Sequence, residues 1–129
     1  AFYIMAGDLV NRGIERNDWD LFFHNAAGIY DRRTLVPAIG NHEDQGDNGP
    51  WMYLELFDLP MNGPASIPKE RAYSFEYSNA LFVVLDSNLP AESQTDWLEL
   101  QLAQSKAVWK FVVYHHPAYS SGPRRDNPE

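Results

Sequence analysis

The chain contains no cysteine. That excludes a disulfide framework and thiolate-ligated metal sites, and leaves the redox compartment open. Basic residues are also scarce: ten Lys and Arg stand against eighteen Asp and Glu, for a net charge of −8. Binding to nucleic acid by phosphate neutralisation needs a basic stripe, and none is present. The acidic runs are short, so an acidic tail is not indicated either. No stretch approaches the ~20 apolar residues of a membrane span. No signal peptide is visible, and a chain whose amino end lies elsewhere could not show one, so localisation stays open. Repeats of roughly 20 to 50 residues and low-complexity tracts are absent as well.

What is present is ordinary globular composition. Of 129 residues, 44% are hydrophobic and 14% aromatic, well away from the disordered class and enough for one core. Apolar runs bounded by Gly, Pro, Asn or Asp alternate with helical patterns, which predicts βαβ units, a mainly parallel sheet and an α/β class. Strands are expected over residues 2–6, 35–39 and 108–114. A hairpin is expected from strands 72–77 and 81–86, joined by Ser78-Asn79-Ala80. Asp18, Trp19, Leu21, Phe22, Phe23, Ala26, Ala27 and Tyr30 keep helical period, with Asn17 as the expected cap. A second helix carries Trp97, Leu98, Leu100, Gln101 and Leu102, with Ser93 or Thr95 at its start. Between residues 43 and 68 glycines and prolines break every pattern, leaving one or two helical turns near Trp51 to Phe57 in an insertion expected to overhang the site. Pro37 points to a short strand or an edge position.

Three of the apolar runs end in chemistry. The first leads into Gly7-Asp8-Leu9-Val10-Asn11-Arg12-Gly13, the second into Gly40-Asn41-His42-Glu43, and the last into His115-His116-Pro117. Open α/β sheets build their sites at the carboxyl ends of strands. A carboxylate, a neutral amide oxygen and an imidazole suit hard and borderline cations, and Asp8, Asn41 and His115 provide one of each. Such cations ionise water and neutralise phosphoryl oxygens, so the set points to metal-dependent phosphoester chemistry.

The ordered set resembles the calcineurin-like metallophosphoesterase superfamily. Tyr73-Ser74-Phe75-Glu76-Tyr77, Phe82-Val83-Val84-Leu85-Asp86-Ser87 and the run from Phe111 to Pro117 resemble its purple acid phosphatase-like branch. The likeness covers nearly the whole chain. It implies part of a four-layer α/β/β/α sandwich and a centre of two divalent or trivalent ions, Mn, Fe or Zn. It further implies a metal-bound hydroxide as nucleophile on a small-molecule phosphoester. The family's Asp-x-His and Gly-His-x-His motifs are absent, so residues 1–129 read as one domain fragment truncated at both ends. The resemblance also admits a secreted or periplasmic location.

By the same resemblance Asp8 is the bridging aspartate, Asn41 ligates the second metal, and His115 or the adjacent His116 supplies the next ligand. Asp8 and Asn41 each also have an ordinary reading as turn-forming residues. His42 matches a histidine that faces substrate, bonding phosphate or protonating the leaving oxygen; a structural histidine is its alternative. Glu43 or Asp44 could orient His42, although an exposed loop acid is commoner. Arg12 stands where a phosphate-contacting arginine is found in the protein phosphatase branch, and reads equally as a surface residue. Ile39 stands where that branch has a second arginine, which argues against a protein phosphatase. Asn11 replaces the tyrosine whose phenolate colours the purple enzymes, so a colourless holoprotein is expected. His24, Trp19, Trp97 and Trp109 read as structural, while Trp51, Tyr53 and Tyr119 read as pocket or packing residues. The expected activity is an acid phosphatase-like phosphomonoesterase. A phosphodiesterase or nucleotidase, or a fragment inert by itself, are the alternatives.

Overall fold

A computed structural model describes residues 1–120. The stretch from Ser121 to Glu129, a polar run rich in Pro and charged residues, lies outside the described residues. Strand β1 (Phe2–Met5) pairs in parallel with β2 (Thr34–Pro37), and helix α1 (Arg16–Asn25) forms the crossover between them. Helix α2 (Trp51–Leu56) follows, then β3 (Tyr73–Tyr77), β4 (Ala80–Val84), α3 (Glu92–Gln104) and β5 (Trp109–Val113). These last strands make a second sheet in the order β3-β4-β5, antiparallel between β3 and β4 and parallel between β4 and β5. The expected mainly parallel sheet is therefore two sheets, the second of them mixed.

Alternation along the strands explains the layering. Register places Tyr73 opposite Val84 and Phe75 opposite Phe82, so these four share one face of the second sheet. That face meets the first sheet: Tyr73 and Val84 cluster with Val36 and Ala38, and Phe2 packs edge-on against Phe75 and Phe82 at 5.5 and 5.2 Å. Ser74 points the other way and donates to Gln101 of α3 at 2.8 Å, while Trp97 of α3 donates to the carbonyl of Asn62. On the outer side of the first sheet, Trp19 of α1 and Met52 and Tyr53 of α2 are buried with Leu9, Val10 and Ile39. The order is α1 and α2, then β1-β2, then β3-β4-β5, then α3: a four-layer α/β/β/α arrangement, as expected.

Several local expectations change. Helix α1 begins earlier than Asn17, with Glu15 in the extended cap position and no side-chain cap bond. Its first turn is held instead by side-chain pairs, among them Arg16 to Asp20 at 2.8 Å. Ser93 and Thr95 lie inside α3 and bond back to the carbonyls of Pro90 and Ala91; Ala91 is the cap residue. The hairpin loop is Ser78-Asn79, with Ala80 already in the strand. The helix of the 43–68 insertion is anchored in the core, because Tyr53 is 1% exposed and donates its hydroxyl to the Pro37 carbonyl at 2.8 Å. Tyr73 donates to the same carbonyl at 2.7 Å. Burial raises the Tyr53 hydroxyl well above its ordinary value, and burial raises Tyr73 likewise. Trp109 is exposed on β5, which pairs only with β4 among the described strands, and His24 is exposed on α1; neither is a core residue. Trp51 and Tyr119 are exposed as well.

Candidate functional site

Asp8, Asn41 and His115 follow the carboxyl ends of β1, β2 and β5 by a few residues, so the site spans one end of both sheets. The imidazole of His115 is the hub. Its Nδ1 lies 2.8 Å from the Ala6 carbonyl, which can only accept, so Nδ1 carries a proton. In the tautomer protonated only there, Nε2 is a lone pair. Yet its neighbours are Asn41 Oδ1 at 3.1 Å and Asp8 Oδ2 at 3.3 Å, both acceptors. Three acceptors aimed at one point repel one another unless a cation or a proton stands between them. The donor set, one carboxylate, one amide oxygen and one imidazole, fits a hard or borderline cation. Among the described residues, no group of three or more His, Cys, Asp or Glu side chains closes around one point, so the Asn41 amide is needed for a third donor.

His42 joins from the other side. Its Nδ1 lies 2.6 Å from the Asn11 carbonyl and is thereby the protonated nitrogen, leaving Nε2 to face Asp8 Oδ2 at 3.9 Å. Its backbone N–H donates to Asp8 Oδ1 at 3.2 Å. His116 is turned away: its backbone N–H donates to Ser87 Oγ at 3.0 Å, and its Nδ1 lies 2.9 Å from the same hydroxyl. Of the two adjacent histidines, only His115 reaches Asp8 and Asn41. Arg12 does not join them. Its guanidinium forks onto Asp18, Nε to Oδ2 at 3.2 Å and Nη2 to Oδ1 at 3.0 Å, and among the described residues it bonds none of Asp8, Asn41, His42 or His115. Asp18's hydrogen bond, then its charge, raises the Arg12 guanidinium; the same bond lowers the Asp18 carboxyl.

The two site loops approach because glycines let them. Asp8 has a positive φ of 53°, following Gly7 at 87°. A Cβ on Gly40 would stand 2.3 Å from Asp8 Oδ1 and 2.4 Å from Asp8 N, so any side chain there would collide with both the carboxylate and the backbone of Asp8. Gly13 donates its N–H to the His42 carbonyl at 2.8 Å, and Trp19 Nε1 holds the Gly13 carbonyl at 2.9 Å. Glu43 then joins the loops. Its carboxylate is 1% exposed and accepts four backbone N–H groups, from Asp8 at 2.8 Å, Gly40 at 2.9 Å, Leu9 at 2.7 Å and Val10 at 3.1 Å. This corrects the expectation of an exposed loop acid, since Glu43 neither sits in solvent nor touches the His42 ring. The signal available in sequence was a turn led by Gly7 whose consecutive N–H groups need an acceptor.

Comparison with known proteins supplies the family. The model of the calcineurin-like phosphoesterase family matches residues 1–129, and the chain belongs to that family. The family implies metal-dependent phosphoester hydrolysis, and its members generally bind divalent metals. Two curated relatives, uncharacterized proteins of Mycobacterium tuberculosis strains CDC 1551 and H37Rv, are each 25% identical over 144 residues, covering 93% of this chain. The chain spans 27% of the length of these relatives. Among the described residues no helix is long and apolar enough to cross a membrane.

Proposed function

We propose that the chain carries part of the centre of an acid phosphatase-like phosphomonoesterase of the purple acid phosphatase-like branch, acting on a small-molecule phosphoester with two divalent or trivalent ions. The observation that supports this reading best is that Asn41 Oδ1 and Asp8 Oδ2 lie 3.1 and 3.3 Å from His115 Nε2, which puts an amide oxygen, a carboxylate and an imidazole within reach of one cation. When bound, the cations supply ionised water and neutralise phosphoryl charge. The chain's own residues do the rest. Asp8, Asn41 and His115 hold and orient; Ala6 and Asn11 carbonyls fix the tautomers of His115 and His42. The tautomer aims His42 Nε2 into the site, where it bonds a phosphate oxygen or, once protonated, gives its proton to the leaving oxygen. Arg12 keeps its charge on Asp18 and contacts phosphate only by exchanging that partner.

The test is an assay of the full-length protein on nitrophenyl phosphate and bis-nitrophenyl phosphate. Faster turnover of the monoester is expected, together with a loss of at least about 10- to 100-fold in each of Asp8→Ala and Asn41→Ala, since losing even a group that only orients a metal ligand costs about that much. Activity that survives both substitutions overturns the mechanism, and preference for the diester moves the protein to the phosphodiesterase and nucleotidase side.

A further inference from the structure

The acids Glu43 and Asp44 are adjacent in sequence and bond different parts of the chain. Glu43 turns to the Asp8 loop, as described above. Asp44 Oδ2 accepts from Arg71 Nη2 at 2.9 Å, and Arg71 Nε donates to Asp86 Oδ2 at 2.5 Å. Asp86 is fully buried and Arg71 nearly so. Gln94 of α3 brackets Asp86 through both its backbone groups, at 3.0 and 2.8 Å. Asn88 donates to Asp86 Oδ1 at 2.8 Å and to the Gly40 carbonyl at 3.3 Å. That same carbonyl accepts the N–H of Asp44 at 3.2 Å, closing the turn on whose crown Asn41 and His42 sit.

A buried guanidinium between two carboxylates is poor evidence for stability, because desolvating three charges offsets most of their attraction. Its geometry has a clearer consequence. We infer that Arg71 and Asp44 are positioning residues: they latch the 40–44 turn to the second sheet, while Glu43 latches it to the first, so that Asn41 and His42 meet Asp8 and His115 in fixed register. The catalytic part of this inference rests on the metal-hydrolase reading above. Arg71 is suited to the task because its planar fork serves two carboxylates through separate nitrogens, which an ammonium does not reproduce.

Asp44→Ala, Asp44→Asn and Arg71→Lys in the full-length protein test it. Asp44→Ala leaves the Arg71–Asp86 pair in place, so it stays informative should Arg71→Lys fold poorly. Amide hydrogen exchange across residues 40–44 is expected to quicken by about tenfold in Asp44→Ala, the worth of one hydrogen bond to a charged partner. Exchange around Trp19 should hold. The kcat for nitrophenyl phosphate and the affinity for Mn2+ should fall by about tenfold or more, with KM within about twofold, as losses of groups that orient metal ligands do. Asp44→Asn should lie between Asp44→Ala and wild type, since its amide oxygen still accepts from Arg71. Wild-type exchange at 40–44 in both Asp44→Ala and Arg71→Lys overturns the latch. Quickened exchange with unchanged kcat and Mn2+ affinity overturns the positioning role. Quickened exchange in a protein whose wild type neither turns over phosphoesters nor binds Mn2+ supports the latch and overturns the functional reading instead.

Discussion

Replacing Glu43 by glutamine changes one oxygen into an NH2 group and nothing else in shape. In the native side chain Oε2 accepts from the N–H groups of Asp8 and Gly40, and Oε1 from those of Leu9 and Val10. Whichever way the amide turns, its NH2 faces two backbone donors. Two hydrogen bonds to a charged acceptor are lost, at roughly 1.5 to 3 kcal/mol each, and two N–H groups of the buried loop are left facing a donor. Removing a buried charge returns part of that, because a carboxylate at 1% exposure carries a desolvation cost. The net expectation is a loss of about 3 kcal/mol, a large share of the ~5 to 15 kcal/mol that holds a domain together. At this chain length about 3 to 5 °C per kcal/mol applies, so Tm should fall by roughly 10 to 15 °C. Thermal unfolding followed by circular dichroism measures it, with Glu15→Gln as the exposed control, expected within about 0.5 kcal/mol of wild type. A Glu43→Gln melt within about 2 °C of wild type would show that the four donors are satisfied otherwise, and the account of the loops would be wrong.

Other perturbations test other parts of the structure. Gly40→Ala forces a Cβ onto Asp8 N and Oδ1, so Mn2+ affinity, read by titration calorimetry, should fall by 10-fold or more while Trp19 fluorescence shows the core intact; unchanged affinity counts against the close approach of the loops. Tyr53 and Tyr73 have raised hydroxyls, so the unfolded chain loses those protons first: the contribution of these two groups to stability is fully present below about pH 10 and is lost as pH rises further. Two of the seven tyrosines should therefore resist ultraviolet titration until the protein unfolds, and Tyr73→Phe should leave one. Because Asn11 offers only an amide where a phenolate would bind ferric iron, metal-loaded protein should be colourless; a strong visible charge-transfer band contradicts this. The 129-residue chain alone, with three converging donors where each of two ions wants about five or six, should bind Mn2+ or Zn2+ weakly; two tight sites by calorimetry would overturn that.

The strands and the loops that bring Asp8, Asn41 and His115 together were legible for the same reason. Apolar runs that stop at turn residues mark a strand and the loop that follows it, so Phe2 to Met5 followed by Gly7-Asp8 announces both an element and a place where a side chain is presented; the burial expected of such a run is not found, since Tyr3 and Ile4 of β1 are exposed. The choice between His115 and His116 was not legible, because neighbouring residues on leaving a strand differ only by which way the chain turns, and that is decided by Ser87 from a different element. Arg12 shows the same limit. Its spacing after Asp8 fits phosphate, but the partner that captures it is Asp18, six residues on, brought near by the loop that Trp19 pins to α1.

Glu43 exposes the deeper reason. A loop acid is usually solvated, and composition offers no warning that this one is not. The warning lies in the backbone: Asp8 at positive φ, flanked by Gly7 and followed by the N–H groups of Leu9 and Val10, makes a concave row of donors with no strand to accept them. Buried donors must be paired, so a tight glycine-led turn that carries a site residue creates a demand for an acceptor from elsewhere in the chain. The carboxylate that meets it comes from the other site loop. The two turns of the candidate site thus fold as one unit, and weakening the acceptor should loosen Asp8 and Asn41 together rather than either by itself.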